Sequence, residues 1–373
     1  MKRKEITSKE TYLSKKLAFE NVDKRIKVGV LGVGGGGSNA VVHAADSLRN
    51  ISNNLDFLII NTDIQALKKP GLQNVKKMLI GETSAKGFGS GGVKELGKKA
   101  ALESKEKIRE FIKDKDILFI SAGLGGGTGS GASPIIAKIA KEEKVLALVF
   151  GTLPWRFEGI ERYKNAVESN NELIQVTDSL ILFDNELFLD ESRTEKNESL
   201  SELFKEVNDS FVRSILTLMD LIYDDSLINV DFNDIKNSLR NSGYGLFNAF
   251  TIDEISFNEE DIEDNLKNIQ RNFAEKFNSK LSSLDQNDVK QAKNIVLNIS
   301  GSKGVLKMNL IHEIIKQLEK HTNPDVDYIF GVSYNEYLND KIKISYLITG
   351  LNKKLDQTLK QVNVEETKNA NIE

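Results

Sequence analysis

The sequence predicts an α/β fold: a doubly wound parallel sheet, then a long helix, then a smaller α+β domain. Three observations support this prediction. Strand-like and helix-like segments alternate from Ile26 to about Phe183, a pattern typical of parallel sheets covered on both faces. Glycine runs follow two of these strands, and after Asn229 the chain becomes acidic and richer in strands. The length of 373 residues is sufficient for two domains.

The composition excludes several classes of protein. The longest apolar runs, such as 145–150, have the length of a strand, so no transmembrane helix is predicted. A net charge of −4 argues against a dedicated nucleic-acid-binding protein. The absence of cysteine excludes thiol catalysis and thiolate metal sites and favours a reducing cytoplasm. Residues 1–25 are basic and predicted to be disordered, and a role at a membrane surface or on nucleic acid stays open for them.

The alternating pattern assigns the elements of the first domain. Strands are predicted at 26–31, 56–60, 116–121, 145–150 and 179–183, and helices at 38–49, 92–112, 132–143 and 160–176. In such a sheet, ligands bind beyond the carboxyl ends of the strands. Both glycine runs begin at such ends.

The first of these runs, GLGGGTGSG at 123–131, links a strand to a helix predicted to begin at Ala132, with Pro134 in its first turn. Without Cβ atoms, backbone N–H groups and the hydroxyls of Thr128 and Ser130 can converge on one anion at the positive end of the helix. A flexible linker is the alternative, but a linker is expected between domains. The run therefore predicts phosphate binding.

A second glycine run, GVGGGGSNAV at 32–41, matches a different known motif. Gly32, Gly34 and Gly37 satisfy G-x-G-x-x-G, and Asp63 follows the next strand, as in a dinucleotide-binding fingerprint. A dinucleotide fold does not need the richer loop at 123–131, and the chain has only three histidines. The sequence also contains no G-x-x-x-x-G-K-[ST] motif. Two glycine loops instead favour a triphosphate held from two sides.

A long helix at 199–223 is predicted from apolar residues spaced by three or four, and it is expected to join two domains. The second domain is predicted to contain strands at 245–252, 294–300, 327–334 and 341–349, the last two as a hairpin, and helices at 258–283 and 307–320. The polar residues 351–373 are predicted to be disordered. The predicted domain boundaries are 1–25, 26–198, 199–223, 224–350 and 351–373.

Two pairs of polar or aromatic residues have helical i, i+4 spacing. Phe204 and Asn208 share one face of the long helix, where the ring can stack on a planar base and the amide can pair with its edge. The alternative is that Phe204 belongs to the core and Asn208 is solvated. Glu158 and Arg162 follow a strand end, and a structural salt bridge is the alternative to a ligand contact.

Asn229, Asp231 and Asp234 open a short helix in the second domain. An aspartate at this position is commonly a helix cap. Two carboxylates three residues apart can equally orient and polarise a water molecule. Because they are expected to lie far from both glycine loops, we expect them to serve another subunit.

Several motifs occur together, in order, from about residue 25 to Gly350. They are GVGGGGSNAV at 32–41, NTD at 61–63, GGGTGSG at 125–131, PWRFEG at 154–159 with Arg162, FKEVND at 204–209 and NVDFND at 229–234. This set resembles the bacterial tubulin-like cell-division GTPases of the FtsZ family. The implied fold is a Rossmann-like doubly wound parallel-sheet GTPase domain, a long central helix and a smaller α+β C-terminal domain.

The resemblance implies a GTPase, with GTP/GDP and Mg²⁺ as ligands and no metal site built by protein residues. It implies head-to-tail filaments that form the cytokinetic ring at mid-cell in the cytoplasm, with Asn229, Asp231 and Asp234 completing the catalytic site of the neighbouring subunit. Other division proteins are the implied partners, with no nucleic acid and only indirect membrane attachment. The implied nucleotide-binding residues are Gly34, Gly35, Gly36, Gly37, Ser38, Asn39, Asn61, Asp63, Gly125, Gly126, Gly127, Thr128, Gly129, Ser130, Glu158, Arg162, Asn185, Phe204 and Asn208.

The sequence departs from the family pattern at several positions. Val93 and Lys94 stand in a third glycine-rich loop where the family usually has Asn-Pro, and Trp155 replaces a usual Phe. The C-terminal segment lacks the short hydrophobic, proline-containing peptide by which many members bind membrane-anchoring partners. Two alternatives remain open, a plasmid- or phage-type tubulin homologue that segregates DNA and a non-hydrolysing regulatory nucleotide-binding protein.

Overall fold

The computed structural model describes residues 26–48, 54–69, 71–188, 199–223, 228, 230–256, 261–278 and 286–352. The chain divides into two compact units, the first consisting mainly of residues 27–208 and the second mainly of residues 209–351. The predicted tail at 1–25, and the predicted tail at 351–373 apart from Leu351 and Asn352, lie outside these residues. No helix in the described ranges is long and apolar enough to cross a membrane.

The first unit contains a parallel sheet with the strand order β3-β2-β1-β4-β5-β6. Its strands are β1 (Val28–Val33), β2 (Leu55–Asn61), β3 (Lys76–Leu79), β4 (Ile117–Gly123), β5 (Leu146–Leu153) and β6 (Ser179–Asp184). This order confirms the predicted doubly wound sheet and reverses direction between β1 and β4, the place where such folds bind ligands. The edge strand β3 was missed because its two exposed lysines give it no apolar pattern.

Helices cover both faces of this sheet. They are α1 (Gly34–Leu48), α2 (Ile64–Lys68), α3 (Lys94–Glu103), α4 (Lys105–Ile112), α5 (Gly127–Glu142), α6 (Ile160–Val176) and the start of α7 (Leu200–Tyr223). The single helix predicted at 92–112 is therefore wrong, since α3 and α4 meet at Ser104. The Ser104 hydroxyl accepts a hydrogen bond from the Gly81 N–H at 3.2 Å, and the backbone leaves helical geometry there.

Both glycine runs extend into helices instead of ending before them. The predicted starts at 38 and 132 are corrected to Gly34 and Gly127. Pro134 consequently lies within α5, and the expectation that it occupies the first turn is wrong. A proline there leaves the carbonyl of Ser130 without its intrahelical donor. The hydroxyl of Ser169 on α6 replaces that donor at 2.8 Å.

The second unit contains a mixed sheet with the order β7-β10-β8-β9. Its elements are α8 (Phe232–Leu239), β7 (Gly243–Ile252), α9 (Ile262–Asn278), α10 (Gln286–Val289), β8 (Asn294–Gly301), α11 (Met308–His321), β9 (Asp327–Tyr334) and β10 (Ile342–Leu351). The predicted hairpin of the last two strands is wrong, because β10 lies antiparallel between β7 and β8 while β9 pairs in parallel with β8. Burial explains the order, since β10 is buried along most of its length and takes a central position.

Candidate functional site

An open cavity of about 380 Å³ lies in the first unit, around the starts of α1 and α5. This volume is in the range of pockets that hold small-molecule ligands. Most of the predicted nucleotide-binding residues line it: Gly34, Gly35, Gly36, Asn39, Gly126, Gly127, Thr128, Gly129, Glu158, Arg162, Asn185 and Phe204. The predicted residues Gly37, Ser38, Asn61, Asp63, Gly125, Ser130 and Asn208 are not among its lining residues.

One end of the cavity is suited to anions. The first N–H groups of a helix have no intrahelical acceptor, and they point along the positive end of the helix dipole. Here two helices, α1 and α5, begin at the same cavity with glycine residues. Backbone N–H groups from two directions can therefore bind one phosphate chain.

Some glycines are required because α1 and α5 pack directly against β4. A Cβ atom on Gly37 would lie 2.1 Å from the carbonyl oxygen of Ser121, and one on Gly129 would lie 2.2 Å from that of Gly123. No side chain fits at such distances. These two glycines therefore determine where the helix starts lie relative to the sheet.

Other glycines leave space for a ligand. A Cβ atom on Gly35 or Gly126 would meet no protein atom within 4 Å. The backbone of Gly126 is extended, with φ −80° and ψ 168°, so the protein itself would accept alanine there. Because both residues line the cavity, a methyl group would occupy ligand space.

Hydroxyl groups join the loops around this end. The Thr128 hydroxyl lies 2.7 Å from that of Thr62 and 3.0 Å from that of Ser90. Ser130 is fully buried and accepts a hydrogen bond from the Gly125 N–H at 2.7 Å, so it shapes the loop from behind. Sequence reasoning missed Thr62 and Ser90, although Thr62 lies within the NTD motif at 61–63 and Ser90 lies in the third glycine-rich loop.

Asn61 and Asp63 hold the chain between β2 and α2. The Asn61 side-chain oxygen accepts a hydrogen bond from the Asp63 N–H at 3.2 Å. The Asp63 carboxylate caps α2 by accepting the Gln65 N–H at 2.8 Å. Both side chains are thus engaged in local structure.

The other end of the cavity has an aromatic wall. Trp155 is buried, its ring contacts that of Phe204 edge-on at 4.8 Å, and its indole N–H donates to the Asn185 carbonyl oxygen at 3.1 Å. Phe204 is 49% exposed although it is aromatic. The Asn185 side-chain oxygen is buried and has no hydrogen-bond partner among the described residues. A ring surface beside an unpaired amide oxygen suits a planar heterocycle with polar edges, whereas Asn208 is half-buried and is not among the lining residues.

Glu158 and Arg162 form an ion pair with each other at the start of α6. The Glu158 carboxylate also accepts a hydrogen bond from the backbone N–H of Trp155 at 3.1 Å. The structural salt bridge considered from the sequence is therefore present, and both residues also line the cavity.

The carboxylates of the second unit lie at the start of α8. Asp231 caps this helix by accepting the Asn233 N–H at 2.9 Å. Asp234 is exposed and lines a separate cavity of about 600 Å³ together with Asn237, Asn294 and Asp327. Asn229 lies outside the described residues, and within those that are described no three acidic or histidine side chains are placed to hold a metal ion.

Two family models and several solved structures match this chain. Residues 27–193 match the Tubulin/FtsZ family, GTPase domain, and residues 270–352 match the FtsZ family, C-terminal domain. An FtsZ dimer structure from M. jannaschii is 31% identical, with 87% of this chain and 88% of that chain covered and a TM-score of 0.71.

More distant structures share the fold. CetZ2 from Haloferax volcanii, solved as a GTPγS-bound protofilament, is 22% identical, with 92% of this chain and 100% of that chain covered and a TM-score of 0.72. CetZ1 from the same organism, a GDP-bound monomer, is 23% identical over 92% of this chain and 100% of that one, with a TM-score of 0.71.

The strand order, the paired helix starts and the aromatic wall define a nucleotide-binding protein of the α/β class. The identity to the M. jannaschii protein and the two domain matches then specify it further. The chain belongs to the tubulin/FtsZ family of GTPases, whose members bind GTP or GDP.

Proposed function

We propose that this protein binds and hydrolyses GTP and assembles head to tail into filaments of the FtsZ type, which form the cytokinetic ring at mid-cell. One observation carries the proposal. Among the residues lining the cavity of the first unit, only Glu158 is acidic, and it is already paired with Arg162. A carboxylate that orients the attacking water must then come from elsewhere, and Asp234 at the exposed start of α8 is suited to that role.

Each part of the site has a task in this proposal. The helix starts at Gly34 and Gly127 bind the phosphates through backbone N–H groups. Phe204 stacks on the guanine, and the unpaired Asn185 amide binds its edge. Asp234 of the neighbouring subunit orients water for attack, and Asp231 holds the α8 start in shape.

Mg²⁺ fits this site as an ion that arrives with the phosphates. Such ions keep several waters and commonly need few protein ligands when phosphate oxygens are present. The oxygen ligands near the helix starts are neutral hydroxyls, such as that of Thr128, and no three acidic or histidine side chains of the described residues are placed to hold a metal ion. Mg²⁺ would supply charge neutralisation on the triphosphate.

Two comparisons favour a division role over another cytoskeletal role. The second unit matches the FtsZ C-terminal domain, and the FtsZ structure is 31% identical whereas the CetZ structures are 21–23% identical. That FtsZ structure is a dimer and the CetZ2 structure a protofilament, which makes self-assembly the first property to test. We further propose division proteins as partners in the cytoplasm, with no nucleic acid involved. A fluorescent fusion that fails to form a mid-cell ring in dividing cells would contradict this role.

The biochemical test measures phosphate release and light scattering after GTP addition at a series of protein concentrations. We expect scattering to rise and then decay as GTP is consumed, and specific activity to increase with protein concentration. Constant specific activity down to the monomeric range would show that the site is complete within one chain. Binding without any hydrolysis would favour a regulatory nucleotide-binding protein.

A mixture of two variants tests catalysis by the neighbouring subunit. Asp234→Ala keeps the nucleotide cavity, and Gly126→Ala keeps the carboxylates while placing a methyl group in the ligand space. Gly127→Ala is less suitable, because its Cβ atom would lie 2.4 Å from the Ser90 hydroxyl and 2.7 Å from the Val93 carbonyl oxygen. Partial recovery of GTPase activity in the mixture is expected, and no recovery despite co-assembly of the variants would contradict the proposal.

A further inference from the structure

One face of α6 contacts both loops at the phosphate end of the cavity. Its residues Asn165, Glu168, Ser169 and Glu172 are spaced by three and four, so they share a helix face. We call these four residues the α6 clamp. None of them was predicted from the sequence to take part in the site.

Two members of the clamp bind backbone carbonyls. The Asn165 amide donates to the Gly92 carbonyl oxygen at 3.2 Å and to the Gly125 carbonyl oxygen at 3.3 Å. Gly92 belongs to the third glycine-rich loop and Gly125 to the loop before α5. One side chain therefore connects the two loops, and Ser169 adds its hydrogen bond to the α5 backbone.

The other two members bind Lys94. Its ammonium group lies 3.0 Å from Glu168 and 2.7 Å from Glu172, although the side chain is only 6% exposed. Burial disfavours the charged form, but the hydrogen bonds that the ammonium group donates to both carboxylates outweigh this effect and raise the pKa of Lys94 above its ordinary value. Lys94 is the first residue of α3, where the positive end of the helix dipole disfavours a cation. The two ion pairs offset this unfavourable interaction and stabilise the buried charge.

Backbone hydrogen bonds hold the first residues of the loop that Lys94 ends, with the Gly89 N–H donating to the Thr62 carbonyl oxygen at 3.1 Å. Gly89, Gly91 and Gly92 have φ values of +84°, +56° and +79°, a left-handed conformation that glycine adopts without the steric cost of a Cβ atom. Phe88 at its tip is 89% exposed. The Ser90–Thr128 hydrogen bond, the hydrogen bond from Asn165 to Gly92 and the ion pairs of Lys94 hold the second half of the loop toward the cavity.

We propose that the α6 clamp and Lys94 position residues 87–93 against the phosphate end of the cavity, and that Lys94 is a positioning residue for nucleotide binding. This inference rests on the proposed nucleotide site. Arg162, which lines the cavity, lies in the first turn of α6. The same helix therefore carries a cavity-lining residue and the clamp that holds the loop. Loss of the clamp should loosen the loop and weaken nucleotide binding without unfolding the unit.

The test compares Lys94→Met with Lys98→Met in the full chain. Lys98 pairs with the same Glu172 at 3.3 Å but lies one turn beyond the loop, which makes it a matched control. Affinity for GTP and GDP is measured through the fluorescence of Trp155, the only tryptophan of the chain and a contact of Phe204. Hydrogen exchange of residues 87–93 is measured in nucleotide-free protein, together with the melting temperature.

We expect Lys94→Met to weaken nucleotide binding about tenfold, equivalent to about 1.4 kcal/mol, and to speed exchange in 87–93. Lys98→Met should change affinity by less than about twofold, as is usual for exposed pairs, and Lys94→Arg should restore most of the binding. Equal effects of both methionine variants, or unchanged exchange in the loop, would overturn the proposal. If Lys94→Met does not fold, Glu168→Gln with Glu172→Gln removes both negative charges that pair with Lys94, from more exposed positions. A wild-type protein that binds no GTP would instead refute the proposed function, while the exchange result still tests the clamp.

Discussion

The cavity of the first unit and the α8 start of the second unit are built from different chemical groups. The cavity offers backbone N–H groups, hydroxyls and the aromatic ring of Phe204, and its single lining carboxylate is ion-paired. The α8 start exposes two aspartates beside a cavity with amide and carboxylate side chains and no glycine-rich helix start. Under the proposed function, nucleotide binding and water activation reside in different parts of the chain, so single substitutions should separate them.

The largest expected effect concerns Asp234. Asp234→Asn should lower kcat by about 10²–10⁴, the usual contribution of a general base or acid, and leave the dissociation constant for GTP unchanged. Binding is unaffected because no carboxylate of α8 lines the first cavity. Steady-state phosphate release and a nucleotide titration provide the two measurements.

Asp231→Asn is the matched variant for this prediction. Asparagine caps a helix about as well as aspartate, so the α8 start is preserved while one charge is removed. A small change in kcat would assign Asp231 to capping, and a decrease as large as that of Asp234→Asn would assign both carboxylates to water activation. An active Asp234→Asn protein would refute the assignment of the catalytic base.

The next prediction separates packing from binding within one glycine run. Gly129→Ala should destabilise the first unit by about 1–3 kcal/mol, because its methyl group meets the Gly123 carbonyl at 2.2 Å. Alanine gains about 1 kcal/mol in helix propensity, which offsets only part of this cost. Gly126→Ala should preserve stability and reduce nucleotide affinity. Denaturant unfolding and the Trp155 titration measure the two effects, and a stable Gly129→Ala protein that loses only binding would contradict this division.

How much of this division could be read from the sequence depends on the physical origin of each feature. The glycine runs reveal a phosphate site because so many missing side chains at strand ends have few other uses, and the doubly wound sheet follows from the alternating pattern. The sequence does not reveal that α1 and α5 begin within the runs, because glycine has a low helix propensity. The reason for the early start is tertiary, since Gly37 and Gly129 allow the helices to contact β4.

Contacts between distant segments were the least predictable part. Lys94 looked only like a departure from a family pattern, because its partners Glu168 and Glu172 lie more than 70 residues further along the chain. The hydroxyl contacts of Thr62 and Ser90 with Thr128 also join distant segments, 66 and 38 residues apart in the sequence. The central position of β10 also depends on burial across the sheet and not on the neighbouring strand in sequence.

A smaller effect is expected at the aromatic wall. Phe204→Ala should weaken GTP binding by about 1–3 kcal/mol, the usual contribution of a base–aromatic stack. Asn185→Leu should reduce the preference for GTP over ATP, because its unpaired amide lies in the lining. The sequence predicts the same loss of preference for Asn208→Leu, so this variant is compared with Asn185→Leu. Competition titrations with ATP decide which amide reads the base, and equal wild-type affinity for GTP and ATP would contradict both assignments.

The smallest effect concerns Glu103, an exposed carboxylate with a structural task, which contrasts with the role proposed for Asp234. Glu103 accepts the N–H groups of Thr83 at 2.7 Å and Ser84 at 2.9 Å. The hydrogen bond from the Thr83 backbone is the main cause that lowers the pKa of Glu103 to about 2.

Because the pKa is lowered in the folded state, the ionised carboxylate stabilises the folded protein at pH values above 4.5, the ordinary pKa of the group. This contribution is lost as the pH falls from 4.5 toward about 2. Glu103→Gln should therefore lower the melting temperature slightly at pH 7, and the difference from wild type should shrink between pH 4.5 and 3. Carboxyl NMR titration gives the pKa directly. A measured pKa near 4.5, or a melting difference that does not change with pH, would show that the two backbone hydrogen bonds do not persist in solution. Because Glu103 lies outside both cavities, its substitution should leave kcat and nucleotide affinity unchanged, whereas Asp234→Asn should alter kcat with little effect on stability.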